Sequence, residues 1–340
     1  MNHRPAPSRL GRAVAAMLTL GLLSGCHAPM SVFSEAGPEA RALGRLGWLL
    51  IVAAAVVFIA VTSFMVAAIQ RRRAEPVAVD LTPRGMAIPI VAGAMIPATI
   101  LLVLFVISVL AQRGYPAESA APAARFTIIG HQWWWEVAAE DGRGNLVGRT
   151  ANELHVPVGR VVEIRLLSAD VIHSFWIPEL HGKIDMIPGD TNRIRLLAMR
   201  PGIYRGQCAE YCGLQHAHMA FTVVAEAPAA YLRWEAAQRD GAAVPVDSAR
   251  RLGDSIVTRG PCAACHTIRG TAAHGTVGPD LTHVGSRVTI AAGTLPNNAA
   301  TMEAWINDAQ VFKPGVQMPP LPEFTGAQLR AMTAYLEGLH

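Results

Sequence analysis

Residues Cys208–Met219 read CAEYCGLQHAHM and bring two thiols, a carboxylate, two imidazoles and a thioether together within twelve positions. The chain has only five cysteines, so two of them in one short segment need an explanation. A disulfide, a zinc site and a copper site are the three alternatives. The remainder of the sequence distinguishes between them.

The N-terminal residues indicate export from the cytoplasm. Three arginines precede an apolar run that ends in the residues LSGC, of which the last is Cys26. This order of a basic region and an apolar region is typical of a secretory signal, so we predict a signal peptide over residues 1–25. Its end resembles a bacterial lipobox, which implies a lipid on Cys26. A plain signal peptide with an incidental cysteine is the alternative.

Two further apolar runs, residues 46–70 and 86–111, are each long enough to cross a bilayer of about 30 Å of hydrocarbon. Pro89 and Pro97 in the second run are compatible with a membrane helix. The loop 71–85 between the runs carries four arginines and is predicted to be cytoplasmic. Residues 26–45 and all residues after 111 then lie on the exported side. A buried helix pair of a soluble protein is the alternative.

Charge says little about partners in this chain. The formal net charge of +4 falls to +1 when the signal peptide, with its three arginines and no acid, is removed. No basic stripe with interleaved aromatic residues is present, so the sequence gives no reason to expect binding to nucleic acid.

The exported part divides into two domains of different character. Residues 112–240 contain short β-rich runs between turn signals, such as RFTIIG and AFTVVAE, which predicts a sandwich or a barrel. Residues 241–248, GAAVPVDS, are a predicted linker. In 249–340 helical patterns flank loops rich in Gly and Pro. The last helix has Thr325 as its predicted N-cap. Its apolar stripe consists of Leu329, Met332, Leu336 and Leu339.

The segment CAACH, with Cys262, Cys265 and His266, matches the pattern for covalent attachment of haem c. A thioredoxin-like redox pair would need a βαβ context, and a zinc knuckle would need further cysteines downstream; neither is present. The segment resembles a class I cytochrome c, and GPDLTHVGSR resembles cytochrome c modules fused to oxidase subunits. An all-α cytochrome c domain is therefore expected.

The haem iron also needs a sixth ligand, and three methionines follow His266. Met302 and Met332 lie in helical patterns and are predicted to be core residues. Met318 lies in KPGVQMPP, where prolines stiffen a loop, and a Met/His haem has a raised potential. We therefore predict Met318 as the ligand.

Assigning Cys26 to lipid and two cysteines to haem leaves Cys208 and Cys212. A disulfide between them is conceivable in an oxidising compartment, but it would not explain His216 or Met219. Zinc accepts Cys and His but has no use for a thioether. Thiolate, imidazole and a weak thioether or carbonyl ligand together are the ligands of copper electron-transfer sites.

The segment follows the C-x-E-x-C-x3-H-x2-M pattern and resembles the binuclear CuA centre of the cytochrome c oxidase subunit II family. DVIHSFWIP, GHQWWWE and GKIDMIPG match the same family in the same order. The resemblance covers essentially the whole mature chain, including the fused cytochrome c. It implies a two-helix transmembrane hairpin followed by an exported cupredoxin domain, a Greek-key β-sandwich.

Carried over to this sequence, the resemblance implies a ligand set for copper. Its members are His173, Cys208, the backbone carbonyl of Glu210, Cys212, His216 and Met219. It further implies that the Glu210 side chain reaches a magnesium ion at the interface with subunit I. Trp133 stands where the family has its electron-accepting aromatic residue; the alternative is a core aromatic residue that packs the sandwich.

The implied function is to pass electrons from an external donor, such as a cytochrome c or another respiratory complex, through haem c and CuA to subunit I. There dioxygen is reduced at a haem–copper centre. Subunit I, subunit III, the donor and the bacterial inner membrane are the implied partners. One departure is Ile90, where many relatives have a glutamate for proton uptake. An electron-transfer lipoprotein serving another reductase is the alternative function.

Overall fold

The computed structural model of the protein describes residues 29–74, 82–111, 121–141 and 143–340. The predicted signal peptide, residues 1–25, and the predicted lipidation site Cys26 lie outside the described residues. So do 75–81, within the predicted cytoplasmic loop, and 112–120, at the start of the predicted cupredoxin segment.

Two long apolar helices form the N-terminal part: α1 spans Pro38–Ala74 and α2 spans Pro83–Ala111. Both are long and apolar enough to cross a membrane, and the apolar window of neither is buried inside the protein. Large apolar side chains on both are exposed, for example Phe64 and Phe105. The buried helix pair of a soluble protein is therefore not the arrangement found. The first helix starts before the predicted position 46, with a proline and an acidic residue in its first turn, as helix starts favour.

Ten strands between residues 124 and 226 form two five-stranded sheets. The strands are β1 Ala124–His131, β2 Trp134–Glu140, β3 Leu146–Ala151, β4 Glu153–Pro157, β5 Val162–Ser168, β6 His173–Ile177, β7 His181–Met186, β8 Asn192–Leu196, β9 Gly202–Cys208 and β10 Ala220–Glu226. One sheet has the order β3-β2-β1-β5-β8 and the other β4-β10-β9-β6-β7. This is the two-sheet sandwich that the sequence predicts.

The core of the sandwich follows from alternation along its central strands. In β1 every second residue, including Phe126 and Ile128, is buried, and β5 continues this pattern alongside it in parallel register. Trp135 of β2 is fully buried and packs edge-on against Phe175 and Phe221 from the opposite sheet. Aromatic rings at the centre therefore join the two sheets.

The C-terminal part is helical, as predicted. A short helix α3, Pro228–Ala237, closes the sandwich, and α4 Ser248–Arg259, α5 Ala299–Asn307, α6 Ala309–Phe312 and α7 Gly326–Glu337 follow. Two paired strands of two residues each, Thr289–Ile290 and Leu295–Pro296, lie between α4 and α5. Thr325 caps α7 in a capping box with Gln328. The predicted stripe, Leu329, Met332, Leu336 and Leu339, is buried in the core of this domain.

The two exported domains belong to one compact unit. The buried Arg287 of the helical domain donates from Nε to Thr150 Oγ1 of the sandwich at 3.1 Å. Next to it, the backbone amide of Val288 donates to Glu153 Oε2 at 2.7 Å. A strand amide, that of Ala220, donates to the carbonyl of Ala292 at 3.0 Å. Hydrogen bonds between the two domains therefore hold the helical domain in place.

Candidate metal centre and haem cavity

Two sulfur atoms lie at the centre of the first site. Cys208 ends β9 and Cys212 lies in the loop after it; both are buried, and their Sγ atoms are 3.8 Å apart. A disulfide has a sulfur–sulfur distance of about 2.05 Å, so the two thiols are free. Of the three alternatives for this segment, the disulfide is not the one that the fold adopts.

Each sulfur has its own imidazole and its own weaker donor. His173 Nδ1 lies 3.9 Å from Cys208 Sγ, and the carbonyl oxygen of Glu210 lies 3.2 Å from the same sulfur. On the other side, His216 Nδ1 and Met219 Sδ lie 3.6 Å and 3.7 Å from Cys212 Sγ. The six predicted ligands are thus brought together as two matching halves that share a pair of sulfurs.

This donor set fits copper better than zinc. Structural zinc takes four Cys or His ligands in a closed tetrahedron, whereas a thioether and a backbone carbonyl beside thiolate and imidazole are the donors of copper electron-transfer sites. Met219 is fully buried with its sulfur among these donors. Two metal ions that share both sulfurs would each find one imidazole and one weak ligand.

The orientation of the His173 ring is fixed by contacts on the side that faces away from the sulfurs. Its Nε2 donates to Asp170 Oδ1 at 2.8 Å, so Nδ1 carries the lone pair on the side of the sulfurs. Gly130 of β1 lies against the ring, and a Cβ at that position would be 2.8 Å from His173 Cδ2. The first sheet therefore contributes a glycine that makes room for a ligand of the second sheet.

The sulfur pair is already prepared for a cation. The contact between the two sulfurs lowers the pKa of Cys208, and the same contact, together with burial, raises the pKa of Cys212. Burial lowers the pKa of His173, but hydrogen bonds with Cys208 and Asp170 outweigh it and leave the pKa raised. Cys208 is thus held as a thiolate, the form of cysteine that binds metal.

A second site is a cavity in the helical domain. A single 3-10 turn, Pro261–Ala264, carries Cys262, and the amide of His266 returns to the Cys262 carbonyl at 2.9 Å. Cys262, Cys265 and His266 together form one wall of the cavity. The His266 ring donates from Nδ1 to the carbonyl of Pro279 at 2.8 Å, which leaves Nε2 to bind iron.

The surroundings of His266 fit a haem. Burial lowers the pKa of His266, so the imidazole stays neutral, as a metal ligand must be. A Cβ on Gly278 would lie 2.6 Å from His266 Cε1, so this glycine makes room for the ring. The sequence motif, the free thiols and the oriented imidazole are together what covalent haem attachment needs.

All three C-terminal methionines contribute to the cavity wall. Met302 in α5 and Met332 in α7 are buried members of the apolar core. Met318 differs because it lies on a loop between helices and is only partly buried. Its carbonyl accepts a hydrogen bond from Gln310 Nε2 at 2.8 Å, which holds the loop.

Trp133 touches both sites. Its indole Nε1 donates to the carbonyl of Cys212 at 3.0 Å, and the side chain also lines the cavity that contains His266. The neighbouring Gln132 donates to the same carbonyl at 2.7 Å. Trp135, not Trp133, is the aromatic residue at the centre of the sandwich core.

Sequence reasoning missed three residues at these sites. Gln132, Arg287 and Lys313 each lie within a motif, but the motifs assign them no role. The structure buries Arg287 and Lys313 where the two domains meet, and both line the cavity. The only sequence feature that could have drawn attention to Lys313 is that it is a lysine, because the chain has just two lysines among 29 Lys and Arg residues.

Comparisons with known proteins find matches to both domains. The family model described as cytochrome c oxidase subunit II, periplasmic domain, matches residues 136–226, and the model described as cytochrome c matches 251–340. The cytochrome c oxidase subunit 2 of Alkalihalophilus pseudofirmus is 32% identical over 95% of this chain and 94% of its own. That of Bacillus subtilis is 27% identical over 94% of each chain.

Among solved structures, the periplasmic domain of subunit II of cytochrome oxidase from Bradyrhizobium japonicum aligns with 35% of this chain and 97% of its own. It is 29% identical, with a TM-score of 0.32. Because this score is low, family membership rests on the sequence matches and not on the structural likeness.

Two apolar helices, a cupredoxin sandwich with a ligand cluster around two cysteines and a cytochrome c domain define a membrane-bound electron-transfer protein with periplasmic domains. The chain belongs to the cytochrome c oxidase subunit II family. It is therefore a subunit of an oxidoreductase complex, and its domains imply copper and haem c as cofactors.

Proposed function

We propose that this chain receives electrons from an external donor on haem c and passes them through binuclear CuA to the haem–copper centre of subunit I, where dioxygen is reduced. The observation that carries the proposal is the position of Trp133. It lines the haem cavity and donates a hydrogen bond to the carbonyl of Cys212, a residue of the copper cluster. Electrons that arrive at the cavity therefore have a short bonded route to the sulfurs.

Each predicted site residue has a role in this proposal. Cys208, Cys212, His173 and His216 would hold the two coppers, with Met219 and the Glu210 carbonyl as weaker donors. Cys262 and Cys265 would attach the haem, and His266 and Met318 would bind its iron. Trp133 is the aromatic residue through which electrons reach the copper side.

The bound metals would supply reversible one-electron chemistry, and the protein supplies a site that does not rearrange. The Asp170 contact and the Gly130 cradle hold His173 in one orientation. The burial of Cys208, Cys212 and Met219 excludes water from the donors. A ligand shell fixed in this way needs little reorganisation when one electron arrives.

Further parts of the proposal concern the surroundings of the chain. Glu210 has a half-exposed side chain 3.7 Å from Lys183, and we assign its free carboxylate face to a magnesium ion shared with subunit I. Subunit III and a cytochrome c or other respiratory donor complete the assembly in the bacterial inner membrane. Export by a cleaved signal, lipidation of Cys26 and the linker 241–248 remain parts of this proposal. Ile90 stands where the family resemblance implies a glutamate for proton uptake, so this proposal assigns no proton uptake to this subunit.

The test is metal and haem analysis of the purified chain, together with the Cys208→Ser variant. The wild type should contain two coppers and one covalent haem c. The variant should lose the mixed-valence copper spectrum and keep the haem absorbance, because Cys208 lies outside the cytochrome domain. Zinc in place of copper, or loss of both cofactors together, would contradict the proposal. Full cofactor content in a chain that does not copurify with subunit I would favour the alternative, a lipoprotein serving another reductase.

A further inference from the structure

Lys313 is a buried lysine where the two exported domains meet. It follows α6 on the loop that leads to Met318 and is 2% exposed. Lysine is almost never fully buried unless it is paired. Within the described residues no carboxylate forms an ion pair with it, and its Nζ donates instead to the carbonyls of Trp133 at 2.9 Å and Ala291 at 3.3 Å.

The residue type is itself informative. Lys183 and Lys313 are the only lysines among 29 Lys and Arg residues, so arginine is the usual cation of this chain. An ammonium is compact, and it fits a small enclosed position that a planar guanidinium does not. Burial lowers the pKa of Lys313 to about 7, and the nearby Cys212 acts in the opposite direction. A group buried at this cost needs a compensating role.

Lys313 belongs to a set of contacts between the loop that leads to Met318 and the loop that carries the copper ligands. We call this set the clasp and define it as residues 313–315 with Trp133, Leu214 and Gln215. Gln215, next to the ligand His216, donates from Nε2 to the carbonyl of Pro314 at 2.8 Å. Gly315 lies close to Leu214 and to the ring of Trp133, since a Cβ there would meet them at 3.1 Å and 3.9 Å. Trp133 is thus held at two points: its backbone carbonyl accepts a hydrogen bond from Lys313, and its indole donates one to the carbonyl of Cys212.

We propose that Lys313 is a positioning residue for electron transfer between the haem cavity and the copper centre. Its ammonium ties the Met318 loop to Trp133 and places a buried positive charge beside both sites. This inference rests on the proposed function. In the step concerned, one electron leaves the haem, which is oxidised, and arrives at the copper pair, which is reduced, and no atom is transferred.

Two consequences can be measured separately. Without the ammonium, Trp133 loses its backbone anchor, and misplacement of this kind slows a step that depends on geometry by roughly tenfold or more. The loss of a nearby buried positive charge also disfavours the reduced copper centre, by roughly tenfold in its equilibrium constant. For one electron this is about 59 mV.

The experiment is run at pH 6, below the pKa of Lys313, so that the ammonium is present. It compares the full-length holoprotein with Lys313→Met, which keeps the length of the side chain and removes charge and donor. Flash reduction of the haem gives the rate of copper reduction, and a redox titration of the copper band gives its potential. We expect normal copper and haem content, a roughly tenfold slower transfer and a copper potential lowered by about 59 mV. If the wild type itself shows no haem-to-copper transfer, the proposed function fails instead.

Arg205→Met is the matched control, because this exposed arginine also donates across the domain boundary, to the carbonyl of Gly293 at 3.4 Å. The Arg205 variant should leave the rate of copper reduction and the copper potential unchanged. If both fall as much as in Lys313→Met, the effect comes from a general weakening of the contact between the domains, and the proposal is overturned. If the methionine variant does not fold, Lys313→Gln keeps a donor without charge. It should transfer faster than a variant with no donor, Lys313→Ala, yet show the lowered potential. Wild-type potential in the glutamine variant would overturn the proposal.

Discussion

Met318 is the proposed sixth ligand of the haem iron, so the reduction potential of the haem should depend on it. Met318→Ala should leave the haem attached, because Cys262, Cys265 and His266 are unchanged. It should lower the reduction potential, since a Met/His haem has a raised one, and it should open the iron to carbon monoxide. Carbon monoxide difference spectra and a redox titration of the purified chain measure both effects.

The matched control for Met318 is Met302→Ala. Met302 is buried in α5, so this truncation should reduce the free energy of unfolding by about 2–5 kcal/mol while the iron stays closed to carbon monoxide. If the Met302 variant binds carbon monoxide and the Met318 variant does not, the sixth ligand is Met302 and not Met318.

Most of the proposed metal and haem ligands could be assigned from the sequence because they lie close together along the chain. Cys208, Cys212, His216 and Met219 lie within twelve consecutive residues, and Cys262, Cys265 and His266 lie within five. His173 lies 35 positions from Cys208, and only the family resemblance pointed to it. Lys313 was not predictable, because its partners Trp133 and Ala291 lie 180 and 22 positions away along the chain. Only the folded chain brings them together.

Strand β1 affects the copper site through a residue that binds no metal. Gly130→Ala should reduce copper affinity by roughly 10- to 100-fold, because the new Cβ would press on the ring of His173. Copper titration of the metal-free protein, followed by its visible spectrum, measures this. Gly202→Ala at the start of β9 is the control, since the nearest atom to its Cβ is 3.3 Å away, on the ring of Tyr204 and not on a ligand. Equal loss of copper affinity in both variants would assign the effect to strand stability.

Strands β1, β5 and β10 were predictable from their sequence patterns, whereas β6 and β9, which carry ligands, were not. In β6 four of five positions are buried, so no alternation marks it. In β9 the pattern misleads, because Ile203 is exposed while the smaller Gly206 is buried against the Phe221 ring. Pairing with neighbouring strands overrides the local signal in both cases.

The docked arrangement of the two exported domains determines how salt acts on the protein. A separate cytochrome finds its oxidase by electrostatic encounter, which salt screens. Here Arg287, Val288 and Lys313 already bind the sandwich, so the haem-to-copper step should be first-order and nearly independent of ionic strength. Flash reduction of the haem at low and high salt, over a range of protein concentrations, tests this. A rate that scales with concentration would show that another molecule is the direct donor.

The domain boundary should also respond to pH through His155. Burial lowers its pKa, but hydrogen bonds to Glu153 and Glu226 outweigh burial and leave the pKa raised. Glu153 also binds the amide of Val288 in the cytochrome domain. A raised pKa means that the protonated form stabilises the fold. This contribution is complete below the ordinary value of about 6.5 and is lost as the pH rises through the raised value.

Thermal unfolding midpoints between pH 6 and 9 measure this contribution, with His155→Phe as the comparison. The phenyl ring can keep the stacking on Trp234, where the ring centroids are 4.4 Å apart, but it cannot be protonated. The unfolding midpoint of the wild type should exceed that of the variant most at pH 6, and this difference in midpoint should shrink towards pH 9. A difference that is constant across this range would remove His155 from the explanation.

The shared wall of the haem cavity has a consequence for the order in which the protein matures. Gln132, Trp133 and Trp134 of the sandwich line a cavity whose thiols belong to the cytochrome domain. Haem must reach Cys262 and Cys265 inside a cavity that these sandwich side chains help to line. Biogenesis should therefore run from haem attachment on a separate domain, through closure of the clasp, to a finished chain. A chain that closes too early would be trapped without its haem.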